Sequence, residues 1–186
     1  MVEGFASIKF SKGSCKGCIV GKHAKCKYEK GKARKLVQVL DLIHSNLIGA
    51  LPTPSYGNSR YVLTFIDAFS SNCSVYFLKQ KSEVFEIFKV FKALVENLSG
   101  KKIKVLRMDN GKEYINNNLH QLCEENFIQM QHLVPYTPQK SCAAEHKNRA
   151  LKEISTCMLE AKYFSPKIWD EEKNYVAYIH NIFPQK

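Results

Sequence analysis

Up to Lys35 apolar and polar residues mix without a period, and beyond it the pattern sharpens. Leu36 to Leu47 (LVQVLDLIHSNL) is rich in Val, Leu and Ile with mixed alternation, which predicts a buried strand. Leu51 to Asn58 (LPTPSYGN) is a Pro/Gly turn segment. Tyr61–Asp67 and Cys73–Leu78 are aromatic and β-branched runs joined by a short Ser/Asn connection, the signature of an antiparallel hairpin. Val84, Ile87, Phe88, Phe91, Leu94, Val95 and Leu98 then recur at helical spacing, with Ser82 as the predicted N-cap and Gly100 as the stop.

The period returns to alternation at Ile103–Met108, a strand ending at Asp109. A short helix is predicted around Leu119–Asn126, and a strand near Gln129–Val134. Pro135–Ser141 reads as a Pro-broken loop, Ala143–Lys162 as a helix, and Lys167–Ile182 as a last helix behind Ser165-Pro166. This order predicts an α/β fold, a mixed sheet flanked by helices. No internal repeat or long low-complexity tract interrupts it.

Composition changes the picture at the N-terminus. Of the formal net charge of +11 over 186 residues, residues 1–35 hold ten Lys/Arg against two Glu, a net of +8, with five Gly and few branched apolar side chains. Such a stretch cannot bury much surface, so 1–35 reads as a basic, weakly structured leader and 36–186 as the compact domain. The basic excess favours a polyanionic partner, a nucleic acid or an acidic membrane surface. No apolar run approaches the roughly 18 residues of a membrane span, and no signal-peptide core is expected in the opening residues.

Two carboxylates stand where chemistry gathers. Asp109 closes a strand ahead of an Asn-Gly turn, and Glu145 opens the helix after PYTPQK, with 35 residues between them. A strand-end Asp and a helix-borne Glu can converge on divalent metal, and a third carboxylate on a neighbouring strand would complete a two-metal site. Each also has an ordinary reading, as a turn residue and as a helix-dipole partner.

The blocks CKGCIVGKH, LDLIHSNLIG, RYVLTFIDAFS, VYFLKQKSEVFEIFKVFKALVENLSGKKIKVLRMDNGKEY and VPYTPQKSCAAEHKNRALKE occur in this order. On them the chain resembles the integrase region of copia-type LTR retrotransposon polyproteins over nearly its whole length. The resemblance implies a ribonuclease-H-like fold, a five-stranded mixed sheet with helices on both faces. It implies phosphoryl transfer with Mg²⁺ or Mn²⁺, namely 3′-end processing of element DNA and strand transfer into target DNA. It also implies DNA and further copies of the chain as partners, and the nucleus as the place of action. The family's site is two Asp and a Glu, and its second and third members match Asp109 and Glu145.

The first does not match: where the family has His-Ser-Asp this chain has His44-Ser45-Asn46. The family's first Asp is shared between both metals. Two dications about 4 Å apart repel by roughly 16 kcal/mol at an effective dielectric of 20, and a neutral amide oxygen screens that poorly. Asp41 falls at an odd offset from Asn46, and Asp67 is an Asp the family carries in addition to its triad. Lys112 replaces a usual Gly, and Ser141-Cys142 a usual Asn-Gly. The expectation is an integrase-type core impaired in catalysis, with a non-catalytic nucleic-acid-binding domain or a decayed element fragment as alternatives.

Cys15 and Cys18 form a C-x2-C, with His23 and Cys26 behind it at a spacing that departs from a compact zinc knuckle. By resemblance the pair is the second half of a His-His-Cys-Cys module whose His residues would lie upstream. Thiols without zinc are the preferred reading, with weak zinc binding as the alternative. Cys73, Cys123 and Cys157 sit in apolar patterns and read as core. Lys140, Lys147, Arg149 and Lys152 cluster around Glu145 as candidate DNA-backbone contacts, or as a solvated helix face. His44 reads as a packing residue.

Overall fold

The structure, a computed structural model, describes residues 36–108, 117–132 and 165–182. Three strands come first, β1 (Ile43–Ile48), β2 (Tyr61–Asp67) and β3 (Cys73–Leu78). A 3-10 turn then leads into α1 (Val84–Ser99), followed by β4 (Val105–Met108), α2 (Asn117–Glu125) and β5 (Gln129–His132). A second 3-10 turn opens α3 (Trp169–Ile182). The strands make a five-stranded sheet in the order β3-β2-β1-β4-β5. β2 is antiparallel to β1 and β3, while β1, β4 and β5 run parallel.

Alternation sorts the strand residues onto two faces. On one, Ile43, Leu63, Phe65, Leu78, Leu106 and Met108 pack with Val84, Phe88 and Phe91 of α1 and Leu119 and Cys123 of α2 to form the main core. Phe65 stacks on Phe91 at 4.2 Å between ring centroids. The other face carries His44 and Asn46 and is covered along its β3 side by α3. There Trp169 meets the Phe77 ring at 5.8 Å and donates its indole N–H to the Thr53 carbonyl at 2.9 Å. Asn181 grips the edge of β3: its Oδ1 accepts from Cys73 N and its Nδ2 donates to Cys73 O, each at 2.8 Å.

The hairpin falls at its predicted bounds, and α1 stops at Gly100, which takes φ 65 as a left-handed cap. β1 is shorter than expected. Residues 36–42 are not strand: Asp41 Oδ2 accepts from Val37 N at 2.9 Å and Gln38 N at 3.1 Å, closing a turn in which Leu40 holds φ 67. The start of α1 also differs. Glu83, not Ser82, is the N-cap, and it makes no side-chain cap bond to α1; its carboxylate reaches back instead to the preceding 3-10 turn, accepting from Gln80 N at 2.7 Å and Lys79 N at 3.1 Å. Within α1, Leu94 and Leu98 are exposed at 50% and 77%, whereas Glu96 is buried.

After β1 the chain turns sharply at Gly49, whose φ is +131. A β-carbon there would sit 2.6 Å from the Arg60 carbonyl oxygen, so only glycine fits between β1 and the start of β2. The predicted leader 1–35 and the predicted helix 143–162 lie outside the described residues. Among the described residues no helix is long and apolar enough to cross a membrane.

Candidate active site

β1 runs through the middle of the sheet, between β2 and β4. Its register sets Ser45 against Met108 on the parallel neighbour and Asn46 against Thr64 on the antiparallel one. Asn46, half-buried, is therefore one step beyond the last described β4 pair, and Asp109 is the residue that follows Met108 in the chain. The Thr64 hydroxyl donates to the Asn46 carbonyl at 3.3 Å, holding this part of β1 to β2. Asp109, Glu145, Lys140, Lys147, Arg149, Lys152, Cys15 and Cys18 all lie outside the described residues.

Two positions along from Asn46 on the same face is His44, buried at 7% exposure and paired with Arg107 of β4. Burial, then the Arg107 charge, holds its pKa down at about 4 against a smaller opposing pull from Asp67. It is a neutral packing imidazole near pH 7, as its place in the pattern suggests. Arg107 is half-buried and its own pKa is lowered by that burial. Its Nε and Nη2 both donate to Gln131 Oε1 of β5, at 3.1 and 2.9 Å. Sequence reasoning passed over this pair. The available signal was parity, since Arg107 stands two residues before Asp109 in a strand.

Neither nearby acid stands in for the missing carboxylate. Asp41 is committed to the turn before β1 and to Lys104, whose Nζ lies 2.8 Å from Oδ1. The Lys104 hydrogen bond, with the Val37 amide behind it, lowers its pKa to about 2. Asp67 pairs with Ile43, three positions from Asn46, on the face that packs against α1. Its oxygens accept from Leu40 N at 3.0 Å and from Ser70 N and Oγ at 2.8 and 2.5 Å. Both acids are structural.

A metal centre of the expected kind needs anionic oxygen on β1. Of the three positions matched to carboxylates, the one described carries an amide. Among the described residues no group of three or more His, Cys, Asp or Glu side chains could hold a metal ion. The described donor does not fit a ligand that bridges two cations.

Residues 38–138, spanning β1 through β5, match the family model described as "Integrase core domain". The chain belongs to the integrase core domain family. Its relatives are copia-type retrotransposon polyproteins. It is 36% identical over 181 residues to the Retrovirus-related Pol polyprotein from transposon TNT 1-94 of Nicotiana tabacum, covering 95% of this chain and 14% of that protein. It is 29% identical over 171 residues to the counterpart from transposon RE2 of Arabidopsis thaliana, covering 92% of this chain and 12% of that one. The integrase core thus spans about a seventh or less of the polyproteins it matches. In three dimensions it is similar to a chain of the simian T-cell lymphotropic virus intasome in complex with PP2A regulatory subunit B56 gamma. That match has a TM-score of 0.62 and 18% identity, and covers 89% of this chain and 56% of the other. The likeness bears out the ribonuclease-H-like architecture expected from the sequence blocks.

Proposed function

We propose that this integrase core binds DNA but is impaired in 3′-end processing and strand transfer. The observation that carries the reading is Asn46, a neutral amide on the central strand beside the end of β4. Integrase cores generally work with divalent metal, and a ligand shared by two cations must offset their repulsion with charge. An amide oxygen lacks that charge, so the unmodified chain is assigned binding and not turnover. The formal net charge of +11 supports the binding half, because lysine and arginine contacts to phosphate supply sequence-independent affinity. DNA ends and target DNA are the proposed partners, a multimer the proposed working form, and the nucleus the proposed place.

Strand transfer on labelled DNA ends with Mn²⁺ tests the reading. The chain as it stands should give background joining, and Asn46→Asp should bring joining above background. Robust joining by the unmodified chain overturns the impairment. DNA affinity should fall steeply with added salt. Affinity no better than that of a size-matched neutral protein leaves a decayed element fragment as the reading.

A further inference from the structure

From the way the loop between β1 and β2 is built, we infer that it is a stacking platform, on which the Tyr56 ring receives an unpaired base of bound DNA. The inference deepens the DNA-binding reading above and rests on it. Residues 49–60 leave the sheet where β1 ends, and the loop is tied down along its length. At the stem, Leu51 N donates to the Arg60 carbonyl at 2.8 Å and Arg60 N to the Leu78 carbonyl at 2.9 Å. At the tip, Ser55 N donates to Ser59 O and Asn58 N to Ser55 O, each at 3.0 Å, and Ser59 N donates to Ser55 Oγ at 3.2 Å. Tyr56 N donates to the Lys167 carbonyl at 3.0 Å, and the Trp169 indole holds Thr53. Both serines are buried, yet the Tyr56 side chain between them is 67% exposed. Because the backbone under that ring is already fixed, a flat partner can dock with little further loss of entropy.

The anchors also place the loop. Phe77, Val62 and Ile48 form one row across β3, β2 and β1, on the face that carries Asn46. Trp169 packs on Phe77 while it and Lys167 hold the loop, so Tyr56 stands on that face, at the edge where β1 finishes. Open sheets of this kind take ligands at that edge. Strand spacings put the Phe77 and Asn46 Cα atoms about 12 Å apart, two strands over and two residues along. That is roughly the rise of three or four nucleotides of one strand.

Charge decides which part of DNA fits. Lys167 Nζ lies over the Tyr56 ring, 5.9 Å from its centroid. A side chain two-thirds exposed does not have both ring faces covered, so the other face is open. The first turn of α3 beside the loop is acidic, with Asp170 and Glu171, and a β-carbon at Gly57 would sit 3.6 Å from Asp170 Oδ2. Those anions oppose a duplex backbone pressed onto the loop, whereas a base carries no charge. A duplex keeps its base faces stacked inside, so the base must be unpaired. Stacking on an aromatic ring tolerates any base, and Lys167 supplies a cation for the phosphate next to it.

The experiment measures affinity by fluorescence anisotropy on the full chain, with a blunt labelled duplex and the same duplex carrying a short unpaired overhang. Circular dichroism melting establishes that each variant is folded. The wild-type chain should bind the overhang duplex about five-fold or more tightly than the blunt one. Tyr56→Ala should erase that preference while leaving blunt-duplex affinity and its salt slope unchanged. Tyr56→Phe should restore the preference, since the ring and not the hydroxyl does the stacking. A 2-aminopurine in the overhang should lose fluorescence on binding the wild-type chain, and this decides alone if Tyr56→Ala does not fold. An unquenched 2-aminopurine, no overhang preference in the wild-type chain, or a preference that survives Tyr56→Ala overturns the platform. So does an equal loss on both duplexes. Each of these leaves the DNA-binding reading standing, whereas a wild-type chain with no salt-dependent affinity for either duplex sinks both.

Discussion

Leu40, Asn58, Ser71 and Phe127 all hold positive φ without being glycine, and they do not cost the same. Asparagine visits this region readily. Leu40 is buried at 5%, with its N–H taken by Asp67. Phe127 has φ 56 and 94% exposure, so little packing offsets its backbone strain. A left-handed residue with a β-carbon costs about 1–2 kcal/mol, and glycine returns part of that gain through unfolded-state entropy. Phe127→Gly should therefore stabilise the fold by about 0.5–1 kcal/mol, read as a rise of a few degrees in Tm.

Glu96 is the other informative single residue. Burial pushes its pKa up, but Lys102, the Ile103 N–H and Lys92 outweigh that and hold it below the ordinary value of 4.5. Its contacts measure 2.7 Å to Lys102, 3.1 Å to Ile103 N and 3.1 Å to Lys92. A carboxylate lowered on folding stabilises the native state above its unfolded pKa, and that contribution fades as pH falls through its folded pKa. Denaturant melts taken downward from pH 5 should show stability declining through this range. Glu96→Gln should be less stable at pH 7 by about 1–3 kcal/mol and show a shallower acid decline.

Elements were legible wherever one periodicity ran uninterrupted. β2 and β3 follow directly from their aromatic and β-branched runs, and α1 from its helical spacing. The prediction failed where side chains hold backbone that is distant in pattern terms. The alternation of 36–47 does not reveal that the Asp41 carboxylate takes two amides and ends the extended run before β1 begins. Leu94 and Leu98 fit the helical stripe, yet the core takes Glu96 because Lys102 and Ile103 come back over the end of α1. At the candidate site Asn46 was visible from its motif, whereas the Arg107–Gln131 pair depends on strand register, which no local window contains. The Asn181 clamp was equally hidden, since 108 positions separate it from Cys73. It satisfies edge groups that would otherwise offer a pairing template. Asn181→Ala should cost about 1–3 kcal/mol in denaturant unfolding and raise the rate of aggregation seen by light scattering.

At the scale of the whole molecule, the integrase scaffold and its charge are separable from its chemistry. The sheet order, the core against α1 and α2, and the α3 clamp do not involve the Asn46 side chain in any described contact. Asn46→Asp should therefore leave the unliganded fold intact while changing its response to metal. Binding to the native state alone stabilises by about 2.7 kcal/mol at a hundred times Kd. Thermal melts should show Mn²⁺ raising the Tm of Asn46→Asp by several degrees and leaving the unmodified chain within one degree.

The two-faced alternation of β1 has a consequence for how an acid could return to position 46. Ser45 and Leu47 point to the opposite side of the sheet, and His44 and Ile48 are each a full pleat away from position 46. No neighbouring substitution supplies the lost anion from the same spot, so reversion has a single address. Asparagine and aspartate codons differ only in their first base. One A-to-G transition would rebuild the missing acid, leaving the rest of the gene as it is.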